Sequence, residues 1–163
     1  MTGTSTLRIV SGGQSGVDRA ALDAALELGL ACGGWCPKGR WAEDGEIPER
    51  YPLEETESTD PAKRTRANVR DADATLILTD GEPTGGTRLA MTIAGNLDKP
   101  CLCVDFTVGA DVEAVRAWIA ETGAEVLNVA GPRESRAPGI YQLAHGFLLM
   151  ALGPWAKTHP RHV

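Results

Sequence analysis

The stretch IVSGGQSGVDRAALDAAL, residues 9–26, decides the fold of this chain. It opens with a short apolar run, passes through a turn rich in glycine and serine, and continues into an alanine-rich segment. The apolar run is typical of a buried β-strand, and the apolar residues of the last segment recur three or four positions apart, as on an amphipathic helix. A strand, a glycine turn and a helix in this order indicate an α/β domain.

Apolar runs and helical patterns alternate along the rest of the chain in the same way. Strands are predicted at residues 7–11, within 30–37, and at 74–79, 100–106 and 125–131, and helices at 17–28, 62–72, 87–97, 111–123 and 138–153. This alternation predicts parallel strands joined by crossover helices. We expect one Rossmann-like α/β domain over residues 1–163, an open and mainly parallel sheet with helices on both faces. Its core spans about residues 7–152, and residues 153–163 form a mobile tail.

Residues 38–61 interrupt the pattern and predict a long loop. Its breakers are Gly39, Gly45, Pro48, Pro52 and Pro61. A loop longer than about 15 residues is uncommon in a compact domain unless it is functional or disordered. The aromatic residues Trp41 and Tyr51 favour a loop packed against the domain.

Composition excludes several classes of partner. The chain has 163 residues and a formal net charge of −6, with no block of basic residues of the kind that binds nucleic acid. It shows neither a signal-peptide pattern nor an apolar run long enough to cross a membrane. The sequence therefore predicts a cytoplasmic protein that binds neither nucleic acid nor membrane. The four cysteines have CxxxC and CxC spacings, which favour buried thiols and no metal site.

Two glycine turns follow the first and third predicted strands, and each leads into a helix. Carboxyl ends of parallel strands meet at one edge of a sheet, where free helix amides attract anions. The turns thus predict a crevice for a small anionic ligand, although glycine turns also occur for conformational reasons alone. The candidate binding residues are Gly12, Gly13, Gln14, Ser15, Gly16, Thr79, Gly85, Gly86 and Thr87.

Neither turn carries a common nucleotide signature. The P-loop lysine is absent after Gly16, and so is the GxGxxG pattern of dinucleotide-binding domains. The second strand runs into PKGR, residues 37–40, rather than into an acidic residue for a ribose. We therefore add Lys38 and Arg40 to the candidate site as cations for a phosphate.

Other charged residues near the turns have two interpretations each. Asp18 either supports the first turn or accepts a hydrogen bond from an NH group or a hydroxyl of a ligand. Residues Lys63 to Arg70 form a solvated basic face on the second predicted helix, from which Arg64 or Arg66 reaches the crevice in the alternative interpretation. The last helix, around Phe147 to Leu152, is apolar on more than one face, which fits burial or a subunit contact.

Five segments together resemble the molybdenum carrier family. They are SGGQSGVDRAALDAA (11–25), GWCPKGRWAEDGEIPERYPLEET (34–56), RTRANVRDADATLIL (64–78), TGGT (84–87) and NVAGPRESRAPGIY (128–141). That family belongs to the Rossmann-like superfamily of the LONELY GUY phosphoribohydrolases and lysine-decarboxylase-like proteins. The resemblance covers about residues 7–152.

The resemblance implies a homo-oligomer, a tetramer or dimer, that binds molybdenum cofactor (molybdopterin), with molybdate as a second candidate cargo. Such a protein stores, protects or hands over a pterin dithiolene with a terminal phosphate. An anion crevice with two glycine turns agrees with this ligand in kind. A nucleoside monophosphate would satisfy the same hydrogen-bond donors, so that ligand stays open.

The related hydrolases carry a PGGxGTxxE motif whose glutamate helps to cleave an N-glycosidic bond. Here the turn, residues 83–87, is one residue shorter, and Ala90 stands three positions after Thr87. We therefore predict a binding protein without catalytic residues. The alternatives are a nucleoside-monophosphate phosphoribohydrolase that uses Asp44, Glu46 or Asp80 instead, or a nucleotide-binding sensor.

Overall fold

The structure, a computed structural model, describes residues 6–157. Their elements, in chain order, are β1 (Arg8–Val10), α1 (Val17–Glu27), β2 (Ala31–Gly33), β3 (Trp35–Cys36), β4 (Trp41–Ala42), β5 (Gly45–Glu46), β6 (Glu54–Glu55), α2 (Pro61–Asp71), β7 (Ala74–Thr79), α3 (Gly85–Asn96), β8 (Cys101–Asp105), α4 (Val112–Thr122), β9 (Val126–Ala130), α5 (Ile140–Ala151) and a short 3₁₀ turn (Gly153–Trp155). Every strand and helix that the sequence predicts for the central sheet is present. The α/β, Rossmann-like fold class is therefore confirmed.

Five strands form a parallel sheet in the order β2-β1-β9-β7-β8. The last strand of the chain, β9, lies between β1 and β7, with Leu127 opposite Ile9 on one side and opposite Ala74 on the other. The strand order was not predictable from the sequence, because each strand is a similar apolar run and periodicity does not specify neighbours.

Helices cover both faces of the sheet. On one face α5 packs against α1 and α4, and on the other α2 packs against α3. The strand β7 shows why both faces must be covered, since Leu76 and Leu78 belong to the first core while Ile77 belongs to the second. Consecutive side chains of a strand point to opposite faces, so an unbroken apolar run needs apolar partners on both.

The helices that follow β9 and β7 leave the sheet on opposite faces. After β9 the chain continues into α5, beside α1, whereas after β7 it continues into α3, beside α2. Where successive connections diverge in this way, the two loops separate at the carboxyl ends of the strands and leave a crevice. The sheet topology thus places a crevice between β9 and β7.

The segment of residues 38–61 contains short strand pairs rather than an irregular loop. The hairpin β4–β5 is antiparallel, and β3 pairs with β6. Tyr51 is buried, with 1% of its surface exposed, so the predicted packing of the segment is confirmed there. The same prediction is wrong for Trp41, which is 52% exposed.

Arg40 holds this segment together. Its guanidinium donates hydrogen bonds of 2.8–3.1 Å to the backbone carbonyls of residues 47, 48, 51 and 53. All of these acceptors belong to the segment itself. The structure therefore assigns the Arg40 side chain to loop packing and places it away from the crevice.

The end of the described chain is held against the domain. Residues 153–155 form the 3₁₀ turn, and the amide of Lys157 donates to the carbonyl of Leu28 at 2.8 Å. Backbone and apolar contacts thus hold residues 153–157, the first part of the tail that the sequence predicts to be mobile. The remainder of that tail, residues 158–163, lies outside the described residues.

The cysteines occupy interior positions. Cys32 and Cys36 are buried and Cys101 and Cys103 are half-buried, each as a free thiol. Burial raises the pKa of all four thiols, which keeps them protonated and poor nucleophiles at neutral pH.

None of the helices described between residues 6 and 157 has the length and apolarity that a membrane span requires.

The Arg40 contacts generate a prediction about stability. Replacing Arg40→Ala leaves several carbonyls without their donor and should lower the free energy of unfolding by about 1.5–3 kcal/mol. Urea unfolding measures this loss. Lys38→Ala is the control, because the Lys38 side chain is exposed, and a surface change of this kind stays within about 0.5 kcal/mol. Equal stability of the two variants would contradict the role of Arg40.

Candidate functional site

A crevice of about 540 Å³ opens at the carboxyl ends of β1, β9 and β7. Both glycine turns line it, the first through Gly12 and Gln14 and the second through residues 84–87. The N-terminal part of α2, the loop between β9 and α5, and Trp41 of β4 complete its walls. The turns therefore face one cavity, as the sequence predicts.

The first turn divides into residues that face the cavity and residues that hold the turn. Gly13 and Gly16 have positive φ and pack closely against their neighbours. A Cβ on Gly13 would lie 2.5 Å from Leu53 Cδ1, and one on Gly16 would lie 2.4 Å from the carbonyl oxygen of Pro132. Gly13, Ser15 and Gly16 are thus structural, and they do not line the cavity.

Ser15 and Gln14 connect the turn to other loops. The Ser15 hydroxyl donates to Glu43 Oε2 at 2.5 Å and accepts from the amide of Glu134 at 3.1 Å. The Gln14 side-chain oxygen accepts from the amide of Glu43 at 2.8 Å. These bonds fasten the first turn to the hairpin β4–β5 and to the loop after β9.

The second turn presents backbone amides to the cavity. Thr79 ends β7, and α3 begins at Gly85, with Gly86 and Thr87 in its first turn. Its N-cap residue, Thr84, makes no side-chain capping hydrogen bond. A Cβ on Gly86 would meet nothing within 4 Å, so a ligand has free access to this backbone.

Three of the other helices have carboxylates at their N-termini, and α1, whose N-cap Gly16 makes no side-chain cap, has Asp18 in its first turn. Asp60 accepts from an amide of α2, Asp111 from one of α4, and Glu134 from the amides of Gly139 and Tyr141 at the start of α5. A carboxylate at a helix N-terminus satisfies free N–H groups and complements the helix dipole. The uncapped start of α3 is therefore available to an external anion.

The cations of the cavity differ from those predicted. Arg64, Arg133 and Arg136 line it, whereas Lys38, Arg40 and Arg66 do not. The alternative interpretation of Arg64 is thus confirmed, since its Nη1 atom donates to the carbonyl of Gly12 at 2.8 Å. Lys38 and Arg40 come after β2 and β3. Since β2 is the edge strand on the far side of β1, both residues lie away from the crevice between β9 and β7.

Arg136 lies next to the uncapped start of α3. Its Nη2 atom is 3.7 Å from the position of a Cβ on Gly85, and it forms no ion pair with any residue from 6 to 157. Arg133, by contrast, pairs with Glu43 at 3.1 Å. Sequence reasoning missed both arginines, although PRESR directly follows a predicted strand and the carboxyl-end rule applies to it equally.

Carboxylates also line the cavity. Asp18, Asp60, Asp80 and Glu82 belong to its walls, so it is not uniformly positive. Of the three carboxylates considered as catalytic substitutes, Asp80 lines the cavity, while Asp44 pairs with Arg19 at 3.1 Å and Glu46 lies in the hairpin. Ala90 is fully buried and contributes only a methyl group where the related hydrolases have their glutamate.

Asp18 is a buried carboxyl group in the cavity wall, with 7% of its surface exposed. Burial raises its pKa from an ordinary value near 3.8 to about 6, against the opposing effects of Arg64, Arg19 and the amides of Gln14 and Gly12. The shift means that these neighbours do not fully compensate the lost hydration of the carboxylate. A titratable group of this kind in a cleft is a candidate for a functional role.

Comparisons with known proteins identify the family of this chain and a similar solved structure. Residues 9–152 match the circularly permutated YpsA SLOG family. A solved structure, described as a "putative molybdenum carrier protein" from Syntrophus aciditrophicus SB, is similar at 41% sequence identity with a TM-score of 0.84. The alignment covers 93% of this chain and 95% of that one. No curated protein matches this chain.

The raised pKa of Asp18 generates a prediction for Asp18→Asn. A carboxyl group whose pKa is higher in the folded chain than in the unfolded chain destabilises the fold as pH rises from about 4 to about 6. At pH 8 the asparagine variant should be more stable than the wild type, by up to about 3 kcal/mol. Below about pH 3, where the wild-type carboxyl is protonated in both the folded and the unfolded state, the difference should vanish. Urea unfolding at the two pH values measures it, and a less stable variant at pH 8 would contradict the argument.

Proposed function

The chain belongs to the circularly permutated YpsA SLOG family, and from this premise we propose that its crevice binds molybdenum cofactor, the phosphate-tailed pterin. The protein then stores, protects or transfers this cargo in the cytoplasm, with molybdate as a second candidate cargo. The similar structure from Syntrophus aciditrophicus SB carries the name of a molybdenum carrier, which supports this choice of ligand.

The observation that carries the proposal is the position of Arg136 beside the uncapped N-terminus of α3. Both the guanidinium and the helix end are positive, so they repel each other unless an anion lies between them. A terminal phosphate would accept from the amides of Gly85 and Gly86 and from the arginine together. The cavity volume of about 540 Å³ suits a small organic ligand, for which pockets of about 300–1,000 Å³ are usual.

A binding role is favoured over a hydrolytic one. The methyl group of Ala90 cannot exchange a proton, and it is buried against Ile77 and Ile93 in the second core. Asp80, at the end of β7, is the specific observation in favour of the alternative, a nucleoside-monophosphate phosphoribohydrolase. Release of free base from AMP that disappears in Asp80→Asn would support that alternative over the carrier.

We also propose that the protein forms a homo-oligomer, a dimer or tetramer. On α5, Leu143 and Met150 are 53% and 56% exposed, whereas Ile140, Phe147 and Leu148 of the same helix are buried in the core. Exposed apolar groups on one helix are typical of a subunit contact. Light scattering should give a multiple of the 17.2 kDa chain mass, and a monomer would contradict the proposal.

The proposed phosphate site predicts the effect of Arg136→Ala. Loss of a charge-assisted contact costs about 1.5–3 kcal/mol, so affinity for molybdenum cofactor should fall by about 10- to 150-fold. Arg66→Ala is the matched control, because Arg66 is also exposed but lies outside the cavity. Titration of the purified protein with the cofactor, and separately with AMP, measures these affinities. Equal effects of the two substitutions would remove Arg136 from the site, and binding of AMP alone would overturn the carrier role.

A further inference from the structure

Trp41 lines the crevice with about half of its surface exposed. It alternates along β4 with Ala42, which is buried. Tryptophan has the largest apolar surface of any side chain, and burial of that surface would stabilise the fold. A tryptophan left open in a concave site is therefore suited to a flat ligand that covers it.

The hairpin that carries Trp41 is fixed in place. The next residue but one, Glu43, accepts from the hydroxyls of Ser15 and Ser135, each at 2.5 Å, and from the amide of Ser135 at 3.1 Å. Its pKa is lowered because these hydrogen bonds and Arg133 outweigh its desolvation. The glutamate thus stays ionised and holds the hairpin, and an aromatic ring held in advance loses little entropy when a ligand binds.

Asp18 lies near the same hairpin. The side chain of Gln14 accepts from the amide of Glu43 at 2.8 Å, and the amide of Gln14 donates to Asp18 Oδ2 at 3.4 Å, a long bond. An ionised carboxylate has acceptor sites for about four hydrogen bonds. The amides of Gln14 and Gly12 use only part of this capacity, so the buried Asp18 carboxylate can accept further hydrogen bonds. Its Oδ2 atom lies close to Gly12, where a Cβ would come within 2.9 Å of it.

We propose that Trp41 and Asp18 form a ring subsite for a fused heterocycle with a 2-amino-4-oxopyrimidine edge. Trp41 stacks on the face of the ring, and the Asp18 carboxylate accepts from the ring N–H and the amino group beside it. This inference rests on the proposed function, since the pterin of the cofactor carries that edge. Guanine presents the same two donors, whereas adenine presents an acceptor nitrogen beside its amino group and mismatches a carboxylate.

The test compares GMP, AMP and inorganic phosphate by calorimetric titration at pH 8, where Asp18 is ionised. The wild type should bind GMP at least about tenfold more tightly than AMP. The reason is that the Asp18 carboxylate accepts from both donors of guanine, whereas adenine places an acceptor nitrogen against it. Asp18→Asn should lose this preference through weaker binding of GMP. Asp44→Asn, which changes a carboxylate outside the cavity, should keep it.

Trp41 is tested in the same titrations. Trp41→Ala should weaken the binding of GMP and of AMP alike by about 5- to 150-fold, the range for loss of one stacked base, and should leave the binding of inorganic phosphate unchanged. Trp41→Phe should restore most of the affinity. Far-UV circular dichroism confirms that each variant is folded.

The outcomes separate the subsite from the proposed function. Wild-type preference for GMP that depends on Asp18 and Trp41, without binding of molybdenum cofactor, leaves the ring subsite standing and overturns the carrier role. Equal cofactor affinity in the wild type, Asp18→Asn and Trp41→Ala overturns the subsite and leaves the carrier role. If no ring-bearing ligand binds the wild type, both are overturned.

Discussion

The parallel pairing of β9 with β1 on one side and with β7 on the other is the constraint on which the rest of the structure depends. This pairing brings the ends of three strands together that are far apart in the chain. It also fixes the direction of their loops, because α5 and α3 must cover opposite faces of the sheet. In a chain that began with β9, the strand order would become 3-2-1-4-5, which matches the first five strands of the doubly wound order 3-2-1-4-5-6.

A second constraint joins the loops that this pairing brings together. Glu43 bonds to Ser15 on the first turn and to Ser135 on the loop after β9, so that one carboxylate connects three separate parts of the chain. Within residues 38–61, Arg40 connects the chain to itself, because its guanidinium donates hydrogen bonds to four carbonyls of the same segment. Hydrogen bonds within the segment of residues 38–61 and from it to the neighbouring loops thus fix the hairpin from which Trp41 lines the cavity.

The electrostatics of the cavity follow from local geometry rather than from net charge. The chain has a net charge of −6, yet the uncapped start of α3 and Arg136 form a positive region in a wall that also contains carboxylates. Asp18, with its pKa raised to about 6 by burial, destabilises the free protein at neutral pH. A group that lowers stability in this way is a candidate for a functional role, since stability and function often conflict at binding sites. Positive and negative groups in one cavity suit a ligand with a phosphate and a ring that donates hydrogen bonds.

The sequence by itself determined the fold class, the central strands and helices, and the edge of the sheet where the two glycine turns meet. Periodicity and glycine placement are local properties, and strands of a parallel sheet end at one edge whatever their order. The tertiary structure alone decided the strand order, and hence which cations reach the cavity. Lys38 and Arg40 come after β2, at the edge of the sheet, while Arg133 and Arg136 come after β9, beside β7. It also decided that Trp41 is exposed and Tyr51 is buried, because the contacts that distinguish two aromatic residues of one loop come from distant parts of the chain.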